Sequence, residues 1–362
     1  MTERQYEELG ERMLAAYDAA EQEMLRRTAN RLARGVDTPG WTEQKYAEMR
    51  AARQSIETTL AKVHKEGQSI LGDAVTAAYG DSQQRFILQN RDAVEAMGLL
   101  NIHGNAVKVA NILSDLDSRI NAAERLVLRR YDDVYANVIG ETSALVATGA
   151  YTQRQALNVA MQKFADRGVT GFVDKAGRHW SLPTYTETAL LTAIERASVL
   201  GYVDTMESYG YDLAVLSSHA GACPVCAAWE GVILSVSGSN DAYPSLDEAE
   251  AAGVFHPRCL HDLYTYYPGI SHGDLRNSPR EIEPAEPEYT ARSEQRYMES
   301  TIRRYKRRMA AAVTPEAERQ AYNHVRAWQK RLREHLEDHA DMVLPRKYWR
   351  EGGRTKFRLN KL

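Results

Sequence analysis

The sequences HAGACPVC at residues 219–226 and HPRCLH at residues 256–261 decide how the middle of this chain folds. Together they hold all three cysteines, two in a Cys-x-x-Cys pair and the third beside two histidines. Cysteine and histidine two or three positions apart, on a chain that must return to the first pair, are typical of a tetrahedral zinc site. An odd number of closely grouped cysteines does not suit a disulfide framework. We therefore expect a metal site that closes a small module.

The two stretches offer more donors than the four that zinc needs. The favoured ligands are Cys223, Cys226, Cys259 and His261. His256 and then His219 remain alternatives for the fourth position, and the competing interpretation is three buried thiols near unrelated loop histidines. A structural Zn²⁺ would supply folding free energy that so small a module cannot obtain from its own core. We expect a structural role for it, because no regular pattern of carboxylates accompanies the cluster.

Apolar residues alternate around this site, which predicts short strands at 213–217, 232–236 and 260–267. A β-hairpin is expected over residues 169–182, before the module. The sequence TYTE at 184–187 has the form of a capping box, which would open the helix that follows the hairpin. The sequence SLDE at 245–248 has a similar form and predicts a brief helix that ends at Gly253. The Cys-x-x-Cys pair is expected to form a tight turn between two strands.

The remainder of the chain has helical periodicity. Helices are expected at residues 3–34 and about 42–79, where apolar residues recur every three or four positions. Apolar residues from Leu113 to Val138 follow nearly heptad spacing, which predicts a long helix in a bundle, with a dimerisation zipper as the alternative. Two more helices are expected at 289–312 and 315–339, with Thr314 as the N-cap of the second and Pro315 at its first position.

The expected fold is mainly α with a small α+β zinc-binding module, a long N-terminal helical bundle and a basic helical C-terminal region. The expected division is a helical bundle at 1–168, a β-hairpin connector at 169–183, a helix with the α+β Cys/His module at 184–269, a proline-containing linker at 270–288 and a basic helical tail at 289–362.

Charge is unevenly distributed along the chain. The net charge is −3, yet residues 291–362 hold 19 Lys/Arg against 9 Asp/Glu. The densest basic run is Arg303, Arg304, Lys306, Arg307 and Arg308. With interleaved aromatic residues, this run suits DNA phosphates or an acidic protein surface, and a solvated helix face paired with nearby glutamates is the plainer alternative. No apolar run approaches the ~18 residues of a membrane span, and the first residues lack the apolar region of a signal peptide. We expect synthesis in a reducing cytoplasm.

Enzymatic interpretations find little support in the residues. A zinc deaminase needs His-x-Glu before Pro-Cys-x-x-Cys, but Gly221 stands two positions after His219 and Pro224 lies inside the pair. A nuclease with a zinc-braced hairpin needs an Asp-His step, but Phe255 precedes His256. We expect no enzymatic activity, with a metal-dependent nuclease acting on DNA as the alternative and a free DNA-binding regulator as a third class.

Three stretches, SSHAGACPVCAAWEG at 217–231, YPSL at 243–246 and FHPRCLH at 255–261, resemble the tailed-phage minor capsid protein 2 family. They are also distantly similar to Mu F-type head morphogenesis proteins, whose motif closes as His-Pro-x-Cys-Arg-Cys. Here Leu260 and His261 replace the last two residues of that motif, which keeps a metal donor. The basic stretch from residue 291 to 308 is similar to the C-terminal part of the first family.

This resemblance implies a virion component inside the head, associated with the portal and made in the bacterial host cytoplasm. Implied partners are the portal protein and a major capsid or scaffolding protein, with packaged DNA or an acidic partner on the tail. An oligomer on the portal and a role in assembly, DNA packaging or ejection would fit the same family.

Overall fold

A computed structural model of the chain describes residues 3–97, 105–167, 171–173, 177, 179–256 and 258–341, and it confirms a mainly α fold. The helices are α1 (Glu3–Ala33), α2 (Trp41–Gln89), α3 (Arg91–Met97), α4 (Ala106–Ala147), α5 (Gln153–Arg167), α6 (Leu182–Ser208), α7 (Pro224–Trp229), α8 (Leu246–Ala251), α9 (Pro287–Ala310) and α10 (Pro315–Asp338). The strands are β1 (Phe172–Val173), β2 (His179–Trp180), β3 (Leu213–Leu216), β4 (Ile233–Ser235) and β5 (Leu263–Thr265). None of the described helices is both long enough and apolar enough to cross a membrane.

Helices α1, α2, α4, α5 and α6 share the larger hydrophobic core. The near-heptad residues of α4, such as Leu116, Ile120 and Val127, are buried in it, as their spacing predicted. Helix α2 extends ten residues beyond the predicted end at residue 79. The glycines near that end do not break it, and Gly67 gives Met13 room to pack, since a Cβ there would lie 3.2 Å from the Met13 side chain.

Helix α6 belongs to two cores at once. Its first half packs in the bundle through residues such as Leu190 and Ile194, and its second half packs in a smaller core through Tyr202 and Met206. Gly201 lies between these halves, where α6 approaches the backbone of α2 so closely that a Cβ would be 2.4 Å from the carbonyl oxygen of Tyr79.

The predicted start of α6 was wrong. The helix is capped by Ser181, whose hydroxyl accepts from the Thr184 amide, and Leu182 is its first residue rather than part of a strand. Residues 184–187 therefore lie within the helix. Glu187 is 1% exposed and faces the Cys/His module instead of capping a helix.

The module contains a three-stranded antiparallel sheet in the order β4-β3-β5. Its side chains, with the second half of α6, form the smaller core. Helix α8 has the capping box expected from sequence, with Ser245 and Glu248 bonded to each other's backbone amides. The separate β1–β2 hairpin pairs Phe172 with Trp180. Its predicted turn falls mostly at 174–176, outside the described residues.

Helices α9 and α10 pack as a hairpin around Ile302, Val325 and Leu332. Thr314 caps α10 and Pro315 begins it, as predicted. The end of α9 is buried in the bundle core through Ala310 and Ala311. The tail is therefore attached to the bundle rather than separate from it, and the five-part division of the chain stays a prediction.

Candidate metal centre

The Cys223–Cys226 pair lies at the start of helix α7, not in a free tight turn as expected. Cys223 is the N-cap, and its sulfur accepts from the Cys226 amide at 3.3 Å. Pro224 occupies the first turn, where its missing N–H removes no helical hydrogen bond. The helical turn brings the two cysteines to the same side of the loop that follows β3.

The Cys259 amide donates a hydrogen bond to the His256 carbonyl at 2.9 Å. Phe255 and Arg258 have φ values of 55° and 70°, in the left-handed region that costs a side-chain-bearing residue about 1–3 kcal/mol. The Arg258 side chain forms an ion pair with Glu187 of α6. Contacts of this kind hold the third cysteine in place despite the strained backbone.

Five donors converge from these two stretches. They form two overlapping groups, Cys223 with Cys226 and His256, and Cys226 with Cys259 and His261, and within each group the donor atoms lie within 4.8 Å of one another. Two thiolates bound tetrahedrally to zinc at about 2.3 Å would be about 3.8 Å apart. The sulfurs of Cys226 and Cys259 are 3.8 Å apart. The separation of this pair therefore fits two ligands of a tetrahedral zinc ion, and one of the pair, Cys226, belongs to both groups.

The thiol chemistry fits a cation as well. Contact with the Cys226 thiol is the main cause that lowers the pKa of Cys223 to about 4 and that of Cys259 to about 3. His256 and His261 lower them further. Thiolates, not thiols, bind metals, and two of them crowded against a third sulfur are stabilised by a positive ion.

Two histidines could supply the fourth ligand, and the sequence alone left this choice open. His256 Nε2 lies 3.0 Å from Cys223 Sγ, and His261 Nδ1 lies 3.3 Å from Cys259 Sγ. His219 belongs to neither group, and its ring packs at 4.3 Å from that of His261. Geometry thus favours His256 and His261 over His219.

Glu230 distinguishes the two histidines. Its Oε1 accepts from His261 Nε2 at 3.0 Å and from the His219 amide at 3.0 Å, and its Oε2 accepts from the Ser218 hydroxyl at 2.9 Å. Burial alone would raise the pKa of Glu230, but these hydrogen bonds outweigh it and lower the pKa. A carboxylate on one imidazole nitrogen leaves the other, here Nδ1, directed at the metal. His261 is therefore held in an orientation that suits a metal ligand.

The sequence shows no regular pattern of carboxylates around the cluster, but the structure places two carboxyl groups beside it. Glu230 follows Cys226 by four residues, so its proximity was available from sequence. The proximity of Glu195 could not be predicted in this way, because Glu195 reaches the cluster from α6. Burial, and then the Cys259 sulfur, raise the pKa of Glu195 well above its usual range. The Arg258–Glu187 ion pair could not be predicted from sequence either, because it depends on how the segment around Arg258 packs against α6.

With this geometry in view, comparison with known proteins identifies the family. A family profile described as "Phage minor capsid protein 2" matches residues 1–337. The chain belongs to that family. The resemblance first seen at residues 217–261 is thereby confirmed and extends over nearly the whole chain.

One relative of this minor capsid family member is a "Structural protein" of Lactococcus phage LL-H. The two are 28% identical over 201 residues, which is 53% of each chain. The chain thus spans about half the length of that curated relative. No solved structure shows a significant match.

The basic run on α9 mostly faces the rest of the protein. The Arg308 guanidinium binds both oxygens of Asp166, with Nε 2.6 Å from Oδ1, and Arg307 Nε donates to the Ala165 carbonyl at 3.1 Å. Arg303 and Lys306 are buried, and Arg304 is exposed. Of the five candidate residues for nucleic acid or an acidic partner, the structure thus leaves one on the surface and uses two to attach α9 to the end of α5.

The same charge change can therefore be compared at a paired arginine and at an exposed one. We expect Arg308→Glu to lower the free energy of unfolding by about 1–2 kcal/mol, because a two-point ion pair becomes a repulsive contact with Asp166. Arg304→Glu, on the exposed side, should change it by less than about 0.5 kcal/mol. Urea unfolding followed by circular dichroism measures both. Equal effects of the two variants would contradict the attachment.

Proposed function

We propose that this protein is a structural component of the phage virion, placed inside the head and associated with the portal. In this proposal a structural Zn²⁺ on Cys223, Cys226, Cys259 and His261 fixes the α+β module against the helices. Family membership supports the virion role. The observation that carries the zinc role is the converging set of five donors, one of them oriented by Glu230.

A structural ion suits this position better than a catalytic one. Four further protein donors lie within 4.8 Å of the Cys226 sulfur, whereas a catalytic zinc usually has three protein ligands and keeps one place open for water or substrate. The cluster also lies where the sheet, α6 and α9 meet. Cys259 touches Glu195 of α6, and a Cβ on Gly221 would be 3.1 Å from Glu288 of α9. A metal there would brace three parts of the fold together.

The tail is proposed to meet packaged DNA or an acidic capsid, scaffolding or portal surface. Among the tail residues that the structure describes, up to residue 341, the exposed cations lie mainly on α10 rather than in the 303–308 run. They are Arg304, Arg319, Arg326, Lys330 and Arg331. Phosphate binding through these residues would weaken steeply with salt.

Three measurements test the proposal. Mass spectrometry of purified virions should detect the protein, and the tagged protein should capture the portal protein from infected cells. Elemental analysis should give one zinc per chain. A plasmid-nicking assay with added Mg²⁺, Mn²⁺ or Zn²⁺ should show no cleavage. Absence from virions would overturn the structural role, and metal-dependent nicking that Cys259→Ser abolishes would favour the nuclease.

Removing Glu230 should weaken zinc binding without removing a ligand. We expect Glu230→Ala to lower zinc affinity about 10- to 100-fold, because His261 loses the carboxylate that orients it. Glu230→Gln should lose less, since its amide oxygen still accepts from His261. Competition with a chromophoric chelator measures the affinity, and exposed Glu207→Gln on α6 is the matched control. An unchanged affinity in Glu230→Ala would argue that His256 is the fourth ligand.

A further inference from the structure

An arginine-rich groove of about 840 Å³ lies between α4, the β1–β2 hairpin, α6 and α9. The segment that carries Phe255 and Arg258 forms part of its wall. Its arginines come from four different parts of the chain: Arg119, Arg196, Arg258, Arg296 and Arg303. The metal cluster lies behind this wall, and the zinc proposal assigns the groove no role.

The arginines that line this groove outnumber its carboxyl groups, five against three, and two of these arginines lie at its outer edge. Arg119 and Arg196 both approach Asp115, at 2.9 and 3.8 Å, so two guanidinium groups share one carboxylate. Their side chains are 51% and 57% exposed. Deeper in the groove, Arg258 is paired with Glu187. The edge can therefore accept further carboxylates with little desolvation, because its arginines remain in contact with water.

The groove also has an apolar wall. Trp180 and Tyr185 are half-buried there and pack edge to face, with ring centroids 5.7 Å apart. Half-exposed aromatic rings beside arginines are typical of protein-binding surfaces. A fitting ligand carries separated negative charges with an apolar side chain between them.

The linker before α9 has that composition. Residues 281–286 read EIEPAE, all are exposed, and none lies in a helix or strand. Ile282 is 65% exposed and stands between Glu281 and Glu283. The start of the linker is fixed by Arg280, whose amide donates to the Ala228 carbonyl at 2.8 Å. Proline keeps such a segment extended, so less conformational entropy is lost when it binds.

We propose that the linker of one copy, residues 281–286, docks in the arginine groove of a second copy. Glu281 and Glu283 would meet Arg119 and Arg196, and Ile282 would pack on Trp180 and Tyr185. The groove and the linker are different surfaces, so the contact is heterologous and closes into a ring or extends as a filament. DNA fits less well, because Asp115, Glu187 and Glu299 on the walls oppose a uniform polyanion.

Charge reversal tests the proposal on the full chain by analytical ultracentrifugation. The unmodified protein should self-associate with rising concentration at low salt and dissociate at high salt. Arg119→Glu with Arg196→Glu, or Glu281→Arg with Glu283→Arg, should each weaken association about tenfold or more. Combining all four substitutions should restore it, which a folding defect would not. Reversal of Asp73 and Glu207, exposed elsewhere, should change nothing.

Several outcomes would overturn the proposal. One is a protein that stays monomeric at every concentration. Another is self-association that persists after Glu281→Arg with Glu283→Arg. A third is a variant with all four substitutions that associates as weakly as either double variant. Binding of a single-stranded oligonucleotide that depends on Arg119 and Arg196, without self-association, would assign the groove to nucleic acid. A synthetic EIEPAE peptide that quenches the tryptophan fluorescence of the full chain would support it, if the quenching is lost in a Trp180→Phe variant and when both glutamates of the peptide at 281 and 283 are replaced by arginine.

Discussion

Removal of zinc from the purified protein by a strong chelator is expected to lower its unfolding midpoint by about 10 °C or more. Structural zinc sites contribute about 10–16 kcal/mol of apparent binding free energy in small peptides, and a loss of ~8 kcal/mol gives a shift of this size in a chain of 362 residues. Without the ion, the crowded sulfurs of Cys223, Cys226 and Cys259 lose the positive charge that stabilises their thiolates. Differential scanning calorimetry before and after chelation measures the shift.

The controls separate a metal effect from a chelator effect. Zinc added back should restore the original midpoint, and Mg²⁺ should not. Cys259→Ser should reproduce the metal-free behaviour, whereas His219→Ala, outside both donor groups, should retain zinc. Comparison of His256→Ala with His261→Ala identifies the fourth ligand. A fully chelated protein with an unchanged midpoint would remove the zinc proposal.

Replacement of Gly201 by alanine is expected to lower the free energy of unfolding by about 3 kcal/mol. The added Cβ would lie 2.4 Å from the Tyr79 carbonyl oxygen, well inside the roughly 3.3 Å of a close carbon–oxygen contact. Backbone cannot rotate away as a side chain can, so α6 must shift from α2 and both cores lose packing. Urea unfolding at equilibrium gives the value.

Gly140→Ala on α4 is the matched control. Gly140 is also inside a long helix, but it is exposed and a Cβ there would meet nothing within 4 Å. Alanine at such a position should stabilise by about 0.5–1 kcal/mol. Opposite signs for the two glycines are therefore expected. A Gly201→Ala protein as stable as its parent would show that α6 does not approach α2 so closely.

Much of the fold could be predicted because it depends on local signals. The heptad spacing of α4 predicted a buried face, and the Ser245 and Thr314 caps predicted helix starts where they occur. Local signals also competed. Ser181 and Thr184 both suit an N-cap, and the packing of Leu182 in the bundle core selects Ser181. Gly67 does not end α2, because Met13 fills the space that its missing Cβ leaves.

At the candidate site, the sequence indicated the donors but not what surrounds them. Spacing alone brought forward Cys223, Cys226, Cys259, His256 and His261. The choice between the histidines needed the Glu230 contact. For the basic run, charge alone predicted exposure, although Arg303 shares a helical face with Ala310, which is buried. A charged residue on the same helical face as core residues often forms an intramolecular contact. The sequence does not show which residue it contacts, and the pairing of Arg308 with Asp166 is known only from the structure.

Helix α6 is about 40 Å long at 1.5 Å per residue, and it belongs to both the bundle and the module. The two halves of α6 form one continuous helix, and the backbone at Gly201, where a glycine could allow bending, packs directly against α2. The tail adds a second attachment through Arg308 and Asp166. A force that a partner applies to α9 and α10 would therefore act on α6 and on the Arg308–Asp166 ion pair at the same time. The two attachments resist such a force together rather than yielding one after the other.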